Sequence, residues 1–190
     1  MLNLSEFSRI CKLTMKRSLP IAFFLSLTLG AAVMAANPTQ VQKLLNSGEC
    51  INCDLSEASL YSYVLDGVNL TGANLSAAAL QGSKLNSANL SNVKGDRVNL
   101  ALVQLKDANL QNANLTKANL FGADLRNADL SGANLQEAIL EGADLRGANL
   151  NQANLQKANF VKAKMAGATL EGAKLGGARM PDGSEYKQQK

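Results

Sequence analysis

The sequence predicts an all-β solenoid of square coils, and three observations on one register carry that expectation. Counting in steps of five from residue 55 to residue 180 gives 26 positions, and Leu fills 22 of them; the exceptions are Gly95, Phe160, Met165 and Met180. Two residues before these central sites stands Ala at 19 of the 26, with Asn or Asp between them at 15, as in Ala123-Asp124-Leu125. Ten of the 15 glycines fall two residues after a central site, Gly67, Gly122 and Gly177 among them. Self-similarity at a fixed short period is the mark of stacked repeats.

A period of five suits neither ordinary element. On a helix, at about 100° per residue, the leucines would visit every face; on a flat strand they would alternate between its two sides. The period works if the chain turns a corner every five residues, so that each Leu points at a common axis. Four right-angle corners close a coil of about 20 residues. The second inward site takes Ala because a narrow square prism holds one large side chain per edge. Corners call for the positive φ that Gly adopts freely, or for tolerant polar residues.

The block A-[ND]-L-x-x is the signature of pentapeptide-repeat proteins, and the chain resembles that family from about Cys53 to Met180. The resemblance implies a right-handed quadrilateral β-helix over residues 50–180. Its 26 repeats would make roughly 6.5 coils, a rod roughly 31 Å long at about 4.8 Å per coil. Gly95 then leaves an empty central site beside Val93, Val98 and Val103, which replace the usual Ala and could refill it.

Ahead of the repeats, residues 1–35 read as a signal peptide. Lys16 and Arg17 precede an apolar run from Ile21 to Val33, and Val33-Met34-Ala35 offers small residues for cleavage. That is the charged, apolar and small-residue order of a secretory signal, with an apolar run too short to span a bilayer. A second start at Met15 would give a signal of ordinary length. The mature form is then expected to be exported and free of the membrane.

Residues 36–49 read as a capping helix. Asn37 would be the N-cap, Pro38 the first helical residue and Gln40 a capping-box partner, with Val41, Leu44 and Leu45 as its apolar stripe and Gly48 as its stop. A solenoid leaves its terminal coil bare, so a cover is needed. Tyr63 and Val68, larger than Ala at inward sites, would fill space beneath it. Residues 181–190 are a polar tail.

Cys50 and Cys53 follow the helix. In the repeat register one is central and the other inward, so both face the end of the core. Outside the cytoplasm such a pair reads most simply as a disulfide; a redox-active C-x-x-C is the alternative, although the helix precedes the pair rather than following it. The helix followed by C-x-x-C-D-L-S resembles lumenal members of the family in cyanobacteria and chloroplasts, which implies a thylakoid lumen or a periplasm as destination.

Composition argues against catalysis. The chain has no His and no Trp. Its carboxylates sit at outward sites of a rod, away from any concave pocket that would shift them. No cofactor or metal site is expected. The net charge of +4 is mostly the signal segment: Arg9, Lys12, Lys16 and Arg17 against Glu6 give +3 there, which leaves +1 for the remainder. That near balance points away from nucleic acid. The resemblance also implies, as an alternative, a mimic of DNA acting on type II topoisomerases; family members of that kind depend on a negative surface and a cytoplasmic location, and this chain departs from both.

Function is therefore expected on the outward faces. One carries Asp124 and Asp144 beside Lys106, Arg126 and Arg146, an ion-pair ladder of small worth or else an acidic-partner site. Two others are plainly polar. The fourth carries Tyr61, Leu102, Phe121, Ile139 and Val161, a column that approaches the size of patch signalling a protein partner or self-association.

Overall fold

The computed structural model describes residues 37–187, and the signal-peptide expectation lies outside that range. The unit of the fold is a five-residue edge. In each edge the central side chain and the one two before it point inward, and from Leu55 to Phe160 every central Leu is buried. At the corner, Ala58 N–H donates to the Leu55 carbonyl at 3.1 Å. The third residue of this turn has positive φ, the pattern of a type II turn.

All 26 corner sites from Asn52 to Gly177 have positive φ, ten as Gly and sixteen as other residues, Leu102 and Lys117 included. The left-handed region costs a residue with a Cβ roughly 1–2 kcal/mol, so these corners are held by the packing and hydrogen bonds around them.

Where Asn or Asp precedes the central residue, its side chain shapes the corner. Its Oδ1 accepts the N–H two residues on, as Asn69 does from Thr71 at 3.1 Å and Asn119 from Phe121 at 3.1 Å. This Asx geometry steers the chain into the turn. The same residues pair between coils through parallel bridges twenty residues apart, from Glu49 with Asn69 to Asn159 with Arg179. Leu55 N–H reaches the Asn74 carbonyl and Asn74 N–H reaches the Cys53 carbonyl, both at 2.8 Å. Each coil is thus laced to the next along all four edges.

Helix α1, Pro38–Ser47, precedes the coils. Asn37 caps it by accepting the Thr39 N–H at 3.1 Å, and Gly48, left-handed at φ 69°, closes it with a bond to the Leu44 carbonyl. Leu44 is buried and Val41 packs on the core, but Leu45 is exposed, so the apolar stripe is narrower than expected. Gln40 is not a capping-box residue. Its side-chain carbonyl instead accepts the Asp54 N–H, and its backbone carbonyl lies 3.4 Å from Cys50 Sγ. An amide of the first coil offered a better donor than the helix's own N-terminus, and Gln40 spends its reach tying α1 to the repeats. Cys50 and Cys53 form a disulfide.

Two of the departures from the repeat, Gly95 and Tyr63, are accommodated in opposite ways. Gly95 leaves no void: a Cβ there would lie 3.0 Å from Leu115 Cδ2, 3.1 Å from Val98 Cγ1 and 3.2 Å from the Asn114 carbonyl. The branched neighbours have closed the gap. Tyr63 does the opposite. It was expected to point inward, but it is 37% exposed, because a phenol ring exceeds the space of an Ala site. The turn hydrogen bond from residue 63 to the Leu60 carbonyl is replaced. Tyr63 N–H donates to Ser83 Oγ at 3.2 Å, and that hydroxyl donates to the Leu60 carbonyl at 2.6 Å. Ser83, from the next coil, is fully buried and stands at an inward site where the repeat has Ala.

Candidate protein-interaction face

One face of the coil comprises residues 58–62, 78–82, 98–102, 118–122, 138–142 and 158–162, stacked through bridges from Ser59 and Ala79 to Ile139 and Asn159. Leu102 is 61% exposed, Phe121 47% and Ile139 42%, on three successive coils. Val161, on the next, is half-buried. Tyr61 is exposed on the same face but two coils before Leu102, with Gln81 stacked between, so it stands apart from the column. The rest are brought together as the register required.

The backbone beneath these side chains is fixed. Asn119 and Asn159 accept the N–H groups of Phe121 and Val161 at 3.1 and 3.2 Å. At Ile139 an aliphatic residue occupies the Asn site, and the local polar contact passes to Asn159, which donates to Glu141 at 3.2 Å. Leu102 holds a corner at φ 57°. Its Cδ2 lies where a Cβ on Gly122 would come within 2.8 Å, so Leu102 rests on the glycine of the next coil. A large apolar side chain in the left-handed region, lying on the outside, gains nothing from the core. Sequence reasoning found this column from period alone, but it missed the Leu102–Gly122 contact, whose signal is an apolar corner residue twenty before a Gly.

The neighbouring face, built from residues 123–127 and 143–147, is chemically different. Arg126 grips Asp124 through two hydrogen bonds of 2.8 and 2.6 Å, and Arg146 grips Asp144 through two of 2.8 and 2.7 Å. The Arg126 hydrogen bonds hold the Asp124 carboxyl below its ordinary value, against partial burial and the charge of Asp144. Arg146 does the same for Asp144. Each guanidinium is spent on its own repeat's carboxylate. Among the described residues no cluster of three His, Cys, Asp or Glu could hold a metal ion.

The pentapeptide-repeat profile matches residues 53–92, 73–112, 99–137 and 143–180, as eight copies. The chain belongs to the pentapeptide-repeat family. Membership makes the quadrilateral coil right-handed, and proteins of this family are generally structural or interaction modules. Among solved structures the chain is similar to HetL, a pentapeptide-repeat protein involved in heterocyst differentiation regulation from Nostoc sp. strain PCC 7120. They are 32% identical over 73% of this chain and 78% of that one, with a TM-score of 0.41. A pentapeptide-repeat protein of the Arabidopsis thaliana thylakoid lumen is also 32% identical, over 51% of this chain and 61% of that one, with a TM-score of 0.34. QnrB1, a plasmid-mediated fluoroquinolone resistance protein, is 17% identical over 69% and 71% of the two chains, with a TM-score of 0.42. No curated protein matches the chain.

Proposed function

We propose that this pentapeptide-repeat protein is an exported, non-catalytic scaffold that presents one rigid β-helix face to another protein. The observation that carries the reading is the run of Leu102, Phe121 and Ile139, all exposed on consecutive coils of a single face. Aromatic and aliphatic anchors supply most of the energy of an interface when they are clustered and rigidly held. The rod holds these without conformational cost, since their backbone is already bonded above and below.

Export to a periplasm or thylakoid lumen is supported by the charged and apolar order of residues 1–35 and by the Cys50–Cys53 disulfide, which suits an oxidising compartment. The near-neutral balance after residue 35 separates this reading from a mimic of DNA.

The test is the double substitution Phe121→Ser with Ile139→Asn. Both sites point outward, so thermal stability should change by less than about 0.5 kcal/mol. Association, read by sedimentation and by capture of a partner from the native compartment, should be lost. A variant that folds and still binds as the parent does removes this face from the function.

A further inference from the structure

The apolar face is uneven in relief and in charge. Its large side chains share their columns with small ones on other coils. Ala79 stands in the column of Ile139, Ala101 in that of Phe121, and Gly122 in that of Leu102. Charge is divided along the rod as well. The coil of residues 51–70 carries Asp54, Glu57 and Asp66 and no cation, whereas the coil of residues 151–170 carries Lys157, Lys162 and Lys164 and no carboxylate. Glu57 and Lys157 occupy the same corner of the face, both exposed. Neither belongs to any ion pair among the described residues.

Both asymmetries share one centre. Residues twenty apart stack in register. A half-turn about an axis across the rod therefore keeps each column in place and reverses the order of the coils. With the axis set between the coils of Leu102 and Phe121, edge 98–102 faces 118–122, edge 78–82 faces 138–142, and edge 58–62 faces 158–162. Phe121 then falls on Ala101, Ile139 on Ala79 and Leu102 on Gly122, a large side chain on a small one each time. Tyr61, set apart from the column within its own rod, falls on Val161. Glu57 falls on Lys157. Arg97 meets Lys117, but each already holds a carboxylate, Asp96 at 2.8 Å and Glu137 at 3.9 Å.

We propose that the occupant of this face is a second copy of the chain, packed side by side and antiparallel. The inference rests on the reading of the face as the interaction surface and names its partner. A parallel pair would set the carboxylates of coil 51–70 against themselves and the lysines of coil 151–170 against themselves. The antiparallel pair brings unlike charges together, and because it is isologous the Glu57–Lys157 contact forms twice. Like-charge juxtaposition suppresses the wrong arrangement, so charge selects the direction while the column supplies the apolar contact. Six coils at about 4.8 Å make a contact roughly 29 Å long and one edge wide. That is less than the roughly 800 Å² per partner of a standard interface, so the dimer is a weak one.

The experiment is sedimentation and small-angle scattering of the purified protein over a concentration series reaching about 0.5 mM, well into the range where weak interfaces pair. The expected result is a reversible dimer of doubled cross-section and nearly unchanged length. Glu57→Lys alone and Lys157→Glu alone should each weaken it at least about 10-fold, and the two together should restore it. Both sites point outward, and the corner at Glu57, φ 59°, matches the one that Lys117 already occupies at φ 57°, so the variants keep the coil. A protein that is monomeric throughout the series overturns the proposal. If Phe121→Ser with Ile139→Asn then still abolishes capture of a different protein, the reading of the face survives without it. A dimer indifferent to that double variant, or single charge reversals that the combination does not rescue, overturns the antiparallel pair as well.

Discussion

Gly95 and Tyr63 are opposite errors in the same repeat, one side chain too small and one too large, and the coil handles them by different means. At Gly95 the loss is repaired from within: Val98 and Leu115 close around the missing side chain, and Val93, Val98 and Val103 are all buried. At Tyr63 the excess is expelled to solvent, and the hydrogen bond this opens is relayed through Ser83. A deficit of volume can be shared among neighbours that each move slightly. A surplus cannot, because an interior at crystal-like density has nowhere to put it. The outside of the rod is free, so the side chain goes there and only the backbone needs mending.

The largest effect that would break this contrast is expected at Gly95. Gly95→Leu would restore the repeat on paper, yet its first added carbon already meets Leu115 and Val98 at 3.0 and 3.1 Å. It should destabilise by about 3 kcal/mol in chemical denaturation. A stabilised variant would show a void there instead, and the repair account would fail.

Next is the relay. Ser83→Ala leaves the Tyr63 N–H and the Leu60 carbonyl without their bridge and should cost about 1–2 kcal/mol. Adding Tyr63→Ala should let the ordinary turn re-form, so the double variant should be more stable than Ser83→Ala alone. Strict additivity of the two changes in a double-mutant cycle would mean that Ser83 and Tyr63 are not coupled.

The smallest effect belongs to a regular stretch and serves as the control. The depressed carboxyls of Asp124 and Asp144 contribute stability above their ordinary value of 3.8, and that contribution is lost as pH falls through their lower folded values. Both ion pairs are partly exposed and screened, so Asp124→Asn with Asp144→Asn should flatten the acid limb of the stability profile slightly and change nothing at neutral pH beyond a minor offset. A large loss at pH 7 would show that these pairs, rather than the backbone ladder, hold the coils together.

What could be read from the sequence follows the same line between inside and outside. The leucine period gave the inward sites and the twenty-residue stacking, because a buried side chain admits few alternatives. It also located Leu102, Phe121 and Ile139 on one face, since outward placement is fixed by the same register. The sixteen left-handed corners without Gly were legible only through the register, which places a corner every five residues. Lys117 or Glu137 carries no local mark of that conformation, which the lattice of bonds imposes. Gln40 misled for a related reason: its capping-box position is a local pattern, while the Asp54 amide it actually holds lies fourteen residues away. Tyr63 could have been foreseen from volume, and Ser83 as its partner from the rarity of a hydroxyl at an inward site.

The parallel bridges at a constant separation of twenty have a consequence for how such a chain can change its length. An insertion or deletion of one whole coil slides everything beyond it along the axis and leaves each residue on its original face. A single added repeat of five keeps every leucine inside, and the core does not register it. Yet everything downstream is carried round the rod by a quarter turn. One repeat inserted between Val103 and Ala118 would leave Leu102 where it is and move Phe121 and Ile139 to the adjacent side, dividing the apolar column while sparing the fold. Recognition in this architecture is therefore kept by arithmetic modulo twenty, and stability by arithmetic modulo five.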